Sequence, residues 1–311
     1  MATSTKSSDA EKNAKASKLL TETFDLTSYN PRCPVSFHNR EDTPTEKRLT
    51  QEKIQKFRPF REWTERLNKA ISLQADSNHP FHKAPYKLRS IEVQAVDFFG
   101  SGSSARIGFL KIYANINNDQ KDWLPGAVFL RGSSVAMMII LQPDDVPETS
   151  DEDKFVILTV QPRTAGASLE FTELPAGMVD NGSFAGAAAK EIKEECGLTI
   201  EESELTNMSE LAAKAAAEVD KPNIAEDLQT GVYPSIGGCD EIIPMFLCEK
   251  RIKRDKMDSL EGSLTGLRDE GEKITLKLCR LRDLWKVGCR DGKVLSALAL
   301  YSGLKAEGLL K

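Results

Sequence analysis

Five β-type runs follow one another between Ser90 and Pro162 with no helical stretch among them: SIEVQAVDFF, ARIGFLKIYANI, GAVFLRG, SVAMMIILQ and KFVILTVQP. Glycines and the polar NNDQKDW separate the first three, as in an antiparallel meander, and the acidic turn PDDVPETSDED splits the last two. Helical patterns come before and after this block. Ile54, Phe57, Phe60, Trp63 and Leu67 repeat at helical spacing within Gln51 to Ser72. Further helices read from Phe184 to Cys196, in SELAAKAAAEVD, and in DGKVLSALALYSGLKAEGLL at the end of the chain. Two more strands, EIIPMFLCEK and ITLKLCRL, fall between the last two helices. Strands and helices mix without regular βαβ alternation, so an α+β arrangement is expected rather than a doubly wound parallel sheet. Residues 1–50 read as a polar tail, 51–134 as a helix followed by an antiparallel β subdomain, and 135–311 as the main domain.

Composition removes several classes of function. The 311 residues carry 42 Lys+Arg against 47 Asp+Glu, a net charge of −5, so a basic nucleic-acid footprint is not expected. No apolar run approaches the roughly 18 residues of a membrane span. The six cysteines form no CxxC pair, and the three histidines lie far from most of them, so neither zinc nor disulfides are expected. Cys196 and Cys239 read as small packing residues. The Ser-, Thr-, Ala- and Lys-rich beginning has no Arg before Arg32, and Asp9 and Glu11 interrupt it. It reads as a solvated tail on a cytoplasmic protein, with organellar import as the other reading.

The chemistry concentrates in Ala176 to Leu198, AGMVDNGSFAGAAAKEIKEECGL. Ala185, Ala188, Ala189, Ile192 and Cys196 form one apolar stripe of a helix, and Glu191, Glu194 and Glu195 are expected on the opposite side. Three like charges on one turn repel, and a hard divalent cation relieves that repulsion. Such a cation tends to bridge carboxylates to substrate phosphates. Gly197 stands where a C-terminal cap is expected.

This segment resembles the Nudix box, G-x5-E-x7-R-E-U-x-E-E-x-G-U with U aliphatic. Gly177 matches the first glycine, and Glu191, Ile192, Glu194, Glu195, Gly197 and Leu198 match the final stretch. Lys190 replaces the usual Arg, and the loop is one residue short, at the position of the first Glu of the box. ELPAGM (173–178), SIGGCDE (235–241), GLRDEGEKI (266–274) and DGKVLSALALY (291–301) further resemble the ADP-sugar diphosphatase branch, including ADP-ribose and ADP-glucose pyrophosphatases.

The resemblance implies a Nudix α/β/α sandwich with a mixed sheet, preceded by a small antiparallel β subdomain that commonly mediates homodimers. It implies Mg²⁺-dependent hydrolysis of a nucleoside diphosphate sugar, with Mn²⁺ as an alternative ion. Carried over by position, Glu191, Glu195, Glu272 and the carbonyl of Ala176 would bind metal. Glu270 would be the general base, and Glu194 a neighbour sharing the catalytic work. Arg163, Glu173, Gly237 and Glu241 would contact substrate or order its loops, with Gly238 beside Gly237 in the same turn. Two alternatives stay open: a Nudix-fold nucleotide sensor with weakened catalysis, and a hydrolase for another nucleoside diphosphate compound.

Overall fold

The computed structural model describes residues 17–179, 183–219, 224–266 and 273–310. Its strands fall into two sheets. The first contains β1 (Leu19–Leu26), β2 (Cys33–Arg40), β3 (Lys87–Phe99), β4 (Arg106–Asn117), β5 (Trp123–Leu124) and β6 (Ala127–Leu130). All its pairings are antiparallel except the short parallel contact of β2 with β3. The second contains β7 (Ser134–Pro143), β8 (Phe155–Arg163), β9 (Ser168–Glu173), β10 (Ala176–Met178), β11 (Thr206–Asn207), β12 (Met245–Ile252), β13 (Leu264–Thr265) and β14 (Ile274–Arg280). This sheet is mixed, in the order β11-β12-β7-β8-β14-β13, with β12 parallel to β7.

Residues 17–50 are not a tail. In β2, Cys33, Val35, Phe37 and Asn39 are buried in alternation with more accessible residues, and Asn39 closes hydrogen bonds with the backbone of Leu49. The alternation of Cys33, Val35 and Phe37 with Pro34, Ser36 and His38 is a period-2 signal present in the sequence. The helix expected over 51–72 is two helices, α1 (Gln51–Lys56) and α2 (Arg58–Leu73), broken at Phe57, whose ψ is 108°. Pro59 is the cause: it fits the first turn of a helix, but it has no N–H to give the Gln55 carbonyl and its ring clashes there, so α1 cannot run on through it. Ile54 and Phe60 from this pair pack with Trp63, Leu67 and Ile71 onto the first sheet.

β7 is buried along its whole length. Val135, Met137, Ile139 and Leu141 face one layer, with α3 (Phe184–Cys196) and α5 (Arg254–Asp258). Ala136, Met138 and Ile140 face the other, with α4 (Met208–Val219), α6 (Leu284–Val287) and α7 (Gly292–Ala306). Each large apolar side chain so enclosed contributes roughly 1.5–3 kcal/mol. A sheet with helices on both faces is the α/β/α layering of an α+β chain. Helix α4, after β11, joins the layer opposite α3. Among the described residues no helix is long and apolar enough to cross a membrane.

Candidate active site

β7 and β8 pair only at Ile140–Val156 and Leu141–Phe155, then separate. Into the opening run two strands absent from the sequence expectation: β9, paired to β8, and β10, paired to β7. The segment Leu174–Pro175 crosses from one to the other. Helix α3 closes the cleft from one side. Its start is capped by the Ser183 hydroxyl, which accepts from the Gly186 N–H at 3.0 Å, and it stops at Gly197, whose φ of 65° suits glycine.

Glu195 projects from α3 into this opening and is only 5% exposed. One oxygen accepts the Ala176 N–H at 3.0 Å, and the other lies 3.5 Å from Gln161 Nε2. Burial, then the charge of Glu191, push its carboxyl up to about 8, against the lowering pull of the Ala176 N–H. The expectation of three carboxylates on the side opposite the apolar stripe therefore needs correction. At about 100° per residue, position 195 lies only about 60° from Ile192 around the helix, so it flanks the stripe and is drawn inside. Glu194 is more accessible, and its carboxylate is 3.7 Å from Lys190 Nζ.

Glu191 lies against Gly177. A Cβ placed at residue 177 would fall 1.8 Å from the Glu191 carboxyl carbon, so a glycine there is a condition for this approach. Glu173, at the end of β9, has a 4% exposed side chain held between two cations. Arg163 Nε donates to Oε1 at 2.6 Å and Lys293 Nζ to Oε2 at 2.7 Å. Lys293 also reaches Asp291 Oδ1 at 3.0 Å, while Asp291 Oδ2 accepts the Leu174 N–H at 2.9 Å. Burial works against the Lys293 charge, but Glu173 and Asp291 outweigh it and hold its pKa above the ordinary lysine value. Asp291 and Lys293 were not among the expected site residues. The DGK at the start of a helix was their available signal, because Asp291 caps α7 through the Lys293 N–H.

Glu241 accepts from Ser134 Oγ at 2.7 Å and pairs with Arg131 at 3.1 Å, next to the β7–β10 pairing. Gly237 is exposed in a turn closed by the Gly238 and Cys239 N–H groups on the Ser235 carbonyl. That loop docks on β6, where Phe129 donates to the Gly238 carbonyl at 2.8 Å. Glu270 and Glu272 lie outside the described residues. The segment leading to them ends at Gly266, whose N–H donates to the Glu194 carbonyl at 3.3 Å, and Thr265 Oγ1 donates to the Glu195 carbonyl. Glu191, Glu195, Ala176, Arg163 and Glu173 thus surround one cleft and Glu194 borders it, whereas Glu241 lies across β7 from β10 and the Gly237 turn lies against β6.

No family model matches the chain. It is 33% identical over 256 residues to Nudix hydrolase 14, chloroplastic, of Arabidopsis thaliana, an alignment covering 81% of this chain and 72% of that protein. This chain belongs to the Nudix hydrolase family. Among the solved structures remotely similar to it are two hydrolases. An ADP compounds hydrolase shares 18% identity at a TM-score of 0.40, covering 72% of this chain and 99% of that one. A Nudix-family hydrolase from Clostridium perfringens shares 16% at 0.33, covering 55% and 97%.

Nudix hydrolases act on nucleotide substrates and generally use divalent cations. The donor chemistry here suits such an ion. A desolvated carboxyl with a raised pKa beside a second carboxyl is stabilised by a cation in place of its proton. Among the described residues, no group of three or more His, Cys, Asp or Glu side chains is arranged to hold a metal, so Glu191 and Glu195 need further donors.

Proposed function

We propose that this Nudix hydrolase cleaves the diphosphate of a nucleoside diphosphate sugar, ADP-ribose or ADP-glucose, with Mg²⁺ and release of AMP and a sugar phosphate. The observation that carries the proposal is the convergence of segments resembling the ADP-sugar branch. Residues 173–178, 266 and 291–293, far apart in sequence, meet at one cleft through the Glu173–Lys293, Leu174–Asp291 and Gly266–Glu194 contacts.

Glu191, Glu195, the Ala176 carbonyl and Glu272 would hold the ion. Bound there, the ion would neutralise diphosphate oxygens and lower the pKa of a water. Arg163 has its Nε committed to Glu173. Its terminal nitrogens have no partner among the described residues and suit phosphate oxygens. Glu173, itself held by Lys293, orients that guanidinium from a buried position. Glu270 would take the proton of the attacking water at a carboxylate oxygen, with Glu194 assisting. Glu241 and the Gly237 turn would order the loop between β6 and β7.

Replacing Glu195→Gln should lower Mg²⁺-dependent AMP release by at least about a hundredfold while circular dichroism stays unchanged. Unaltered turnover in that variant removes the assignment. The sensor reading has one observation in its favour: Lys190, in the place of the family Arg, is exposed and paired with Glu194. Calorimetry showing ADP-ribose binding without hydrolysis at any Mg²⁺ concentration would select it.

We also propose a homodimer through the first sheet. Tyr113 and Phe129, 42% and 37% exposed, leave an aromatic surface on β4 and β6, where the Phe109 and Phe129 rings meet at 5.2 Å with a 43° tilt. Light scattering should give twice the chain mass, and a monomer at micromolar concentration would exclude it.

A further inference from the structure

A cavity of about 700 Å³ lies between the α1–α2 pair, the β3–β4 hairpin and the linker joining the two sheets. Its walls are strongly cationic in a chain that is net acidic. Helix α2 supplies Arg58, Arg61 and Arg66, and α1 supplies Lys53 and Lys56. Arg106 comes from β4 and Arg131 from the linker. The only carboxylates on its walls, among the described residues, are those of Glu62 and Asp240.

Seven cations thus face two carboxylates on the wall; from outside it, Glu52 pairs with Lys56 at 2.6 Å, Glu241 with Arg131 at 3.1 Å, and the Glu46 and Arg48 carbonyls accept from Lys53 Nζ. Glu62 is shared, at 2.6 Å from Arg58 and 3.7 Å from Arg66. Asp240 is spent on the backbone N–H groups of Arg131 and Gly132. The Arg61 side chain makes no ion pair or hydrogen bond with the described residues, and Arg131 Nε is buried without a hydrogen-bond partner among them. Phe57 and Phe99 add apolar surface, with the Arg106 guanidinium 5.9 Å from the Phe99 ring.

Guanidinium groups in this density match the oxygens of a phosphate better than any neutral sugar or base. The volume is that of a small-molecule pocket, too confined for a nucleic-acid duplex. Met178 and Val179 form part of the wall, directly after the Ala176–Gly177 step, so the cavity adjoins the carboxylate cleft without sharing its side chains.

We propose that this cavity binds a phosphate monoester carried by a small molecule, at a site separate from the carboxylate cleft. Two sources offer that chemistry: a further phosphate on the substrate itself, or a free sugar phosphate.

The test is calorimetric titration of the full chain with inorganic phosphate and with ribose 5-phosphate, in EDTA. It is run on the wild type and on Glu195→Gln, so that its outcome is independent of the hydrolysis reading. Saturable binding is expected, weakened about tenfold in Arg61→Gln. Arg282→Gln, which removes the same charge outside the cavity, should leave it unchanged. Absence of saturable binding, or equal affinity in Arg61→Gln and wild type, overturns the proposal. Kinetics then separate the sources. A lower KM for ADP-ribose bearing a 2′-phosphate than for ADP-ribose, lost in Arg61→Gln, assigns the cavity to the substrate. A change in ADP-ribose turnover on adding ribose 5-phosphate, also lost in that variant, assigns it to a free ligand.

Discussion

A single missing Cβ sets the spacing at the centre of the cleft. Because the Glu191 carboxyl occupies the space beside Gly177, Gly177→Ala should displace that side chain and weaken metal affinity about 10- to 100-fold, as loss of a supporting contact does. Metal titration followed by thermal shift would check this, and an affinity equal to wild type would show that the contact is dispensable. The residues that carry box chemistry were legible because charged side chains at fixed spacing on a helix are a local pattern. The burial of Glu195 was not, because it depends on which neighbours α3 meets. Lys293 and Asp291 escaped notice for a related reason: their partners, Glu173 and the Leu174 N–H, are more than a hundred residues away.

Short elements decide where the long ones stand. β9 and β10 are too short to give a periodic signal, yet they occupy the gap between β7 and β8 and bring Glu173 and Ala176 to α3. The Arg131–Gly132 linker is held in a similar way by Asp240, whose Oδ1 accepts both N–H groups at 2.7 and 3.1 Å. Burial raises the Asp240 pKa above 3.8, although those two N–H groups pull it down. A carboxyl with a raised folded-state pKa binds its proton more tightly in the native protein. Its contribution is therefore full below the unfolded value and is lost as pH rises through the folded one. The stability of wild type relative to Asp240→Asn should accordingly fall as pH rises from about 4 toward neutrality. Urea unfolding across that range reads the difference, and a pH-independent gap would contradict it.

For the molecule as a whole, the two sheets have separate cores, one built with α1 and α2 and the other centred on β7. Removing residues 1–50 should therefore do more than trim a tail. It strips Cys33, Val35 and Phe37 from the first core and leaves β3 without its β2 partner. The expected result is an unfolded or aggregating N-terminal half, seen as a lowered midpoint in thermal denaturation; an unchanged midpoint would return that segment to the status of a tail. Apolar periodicity and element order were enough for the α+β class, the helix carrying the carboxylates and most strands after Ser90, since those signals are carried by neighbouring residues. Which strand completes which sheet, which carboxyl goes inside, and which distant lysine grips Glu173 follow from contacts between segments. Such contacts exist only once the chain has packed, because the energy of a buried charge depends on the groups folding places around it.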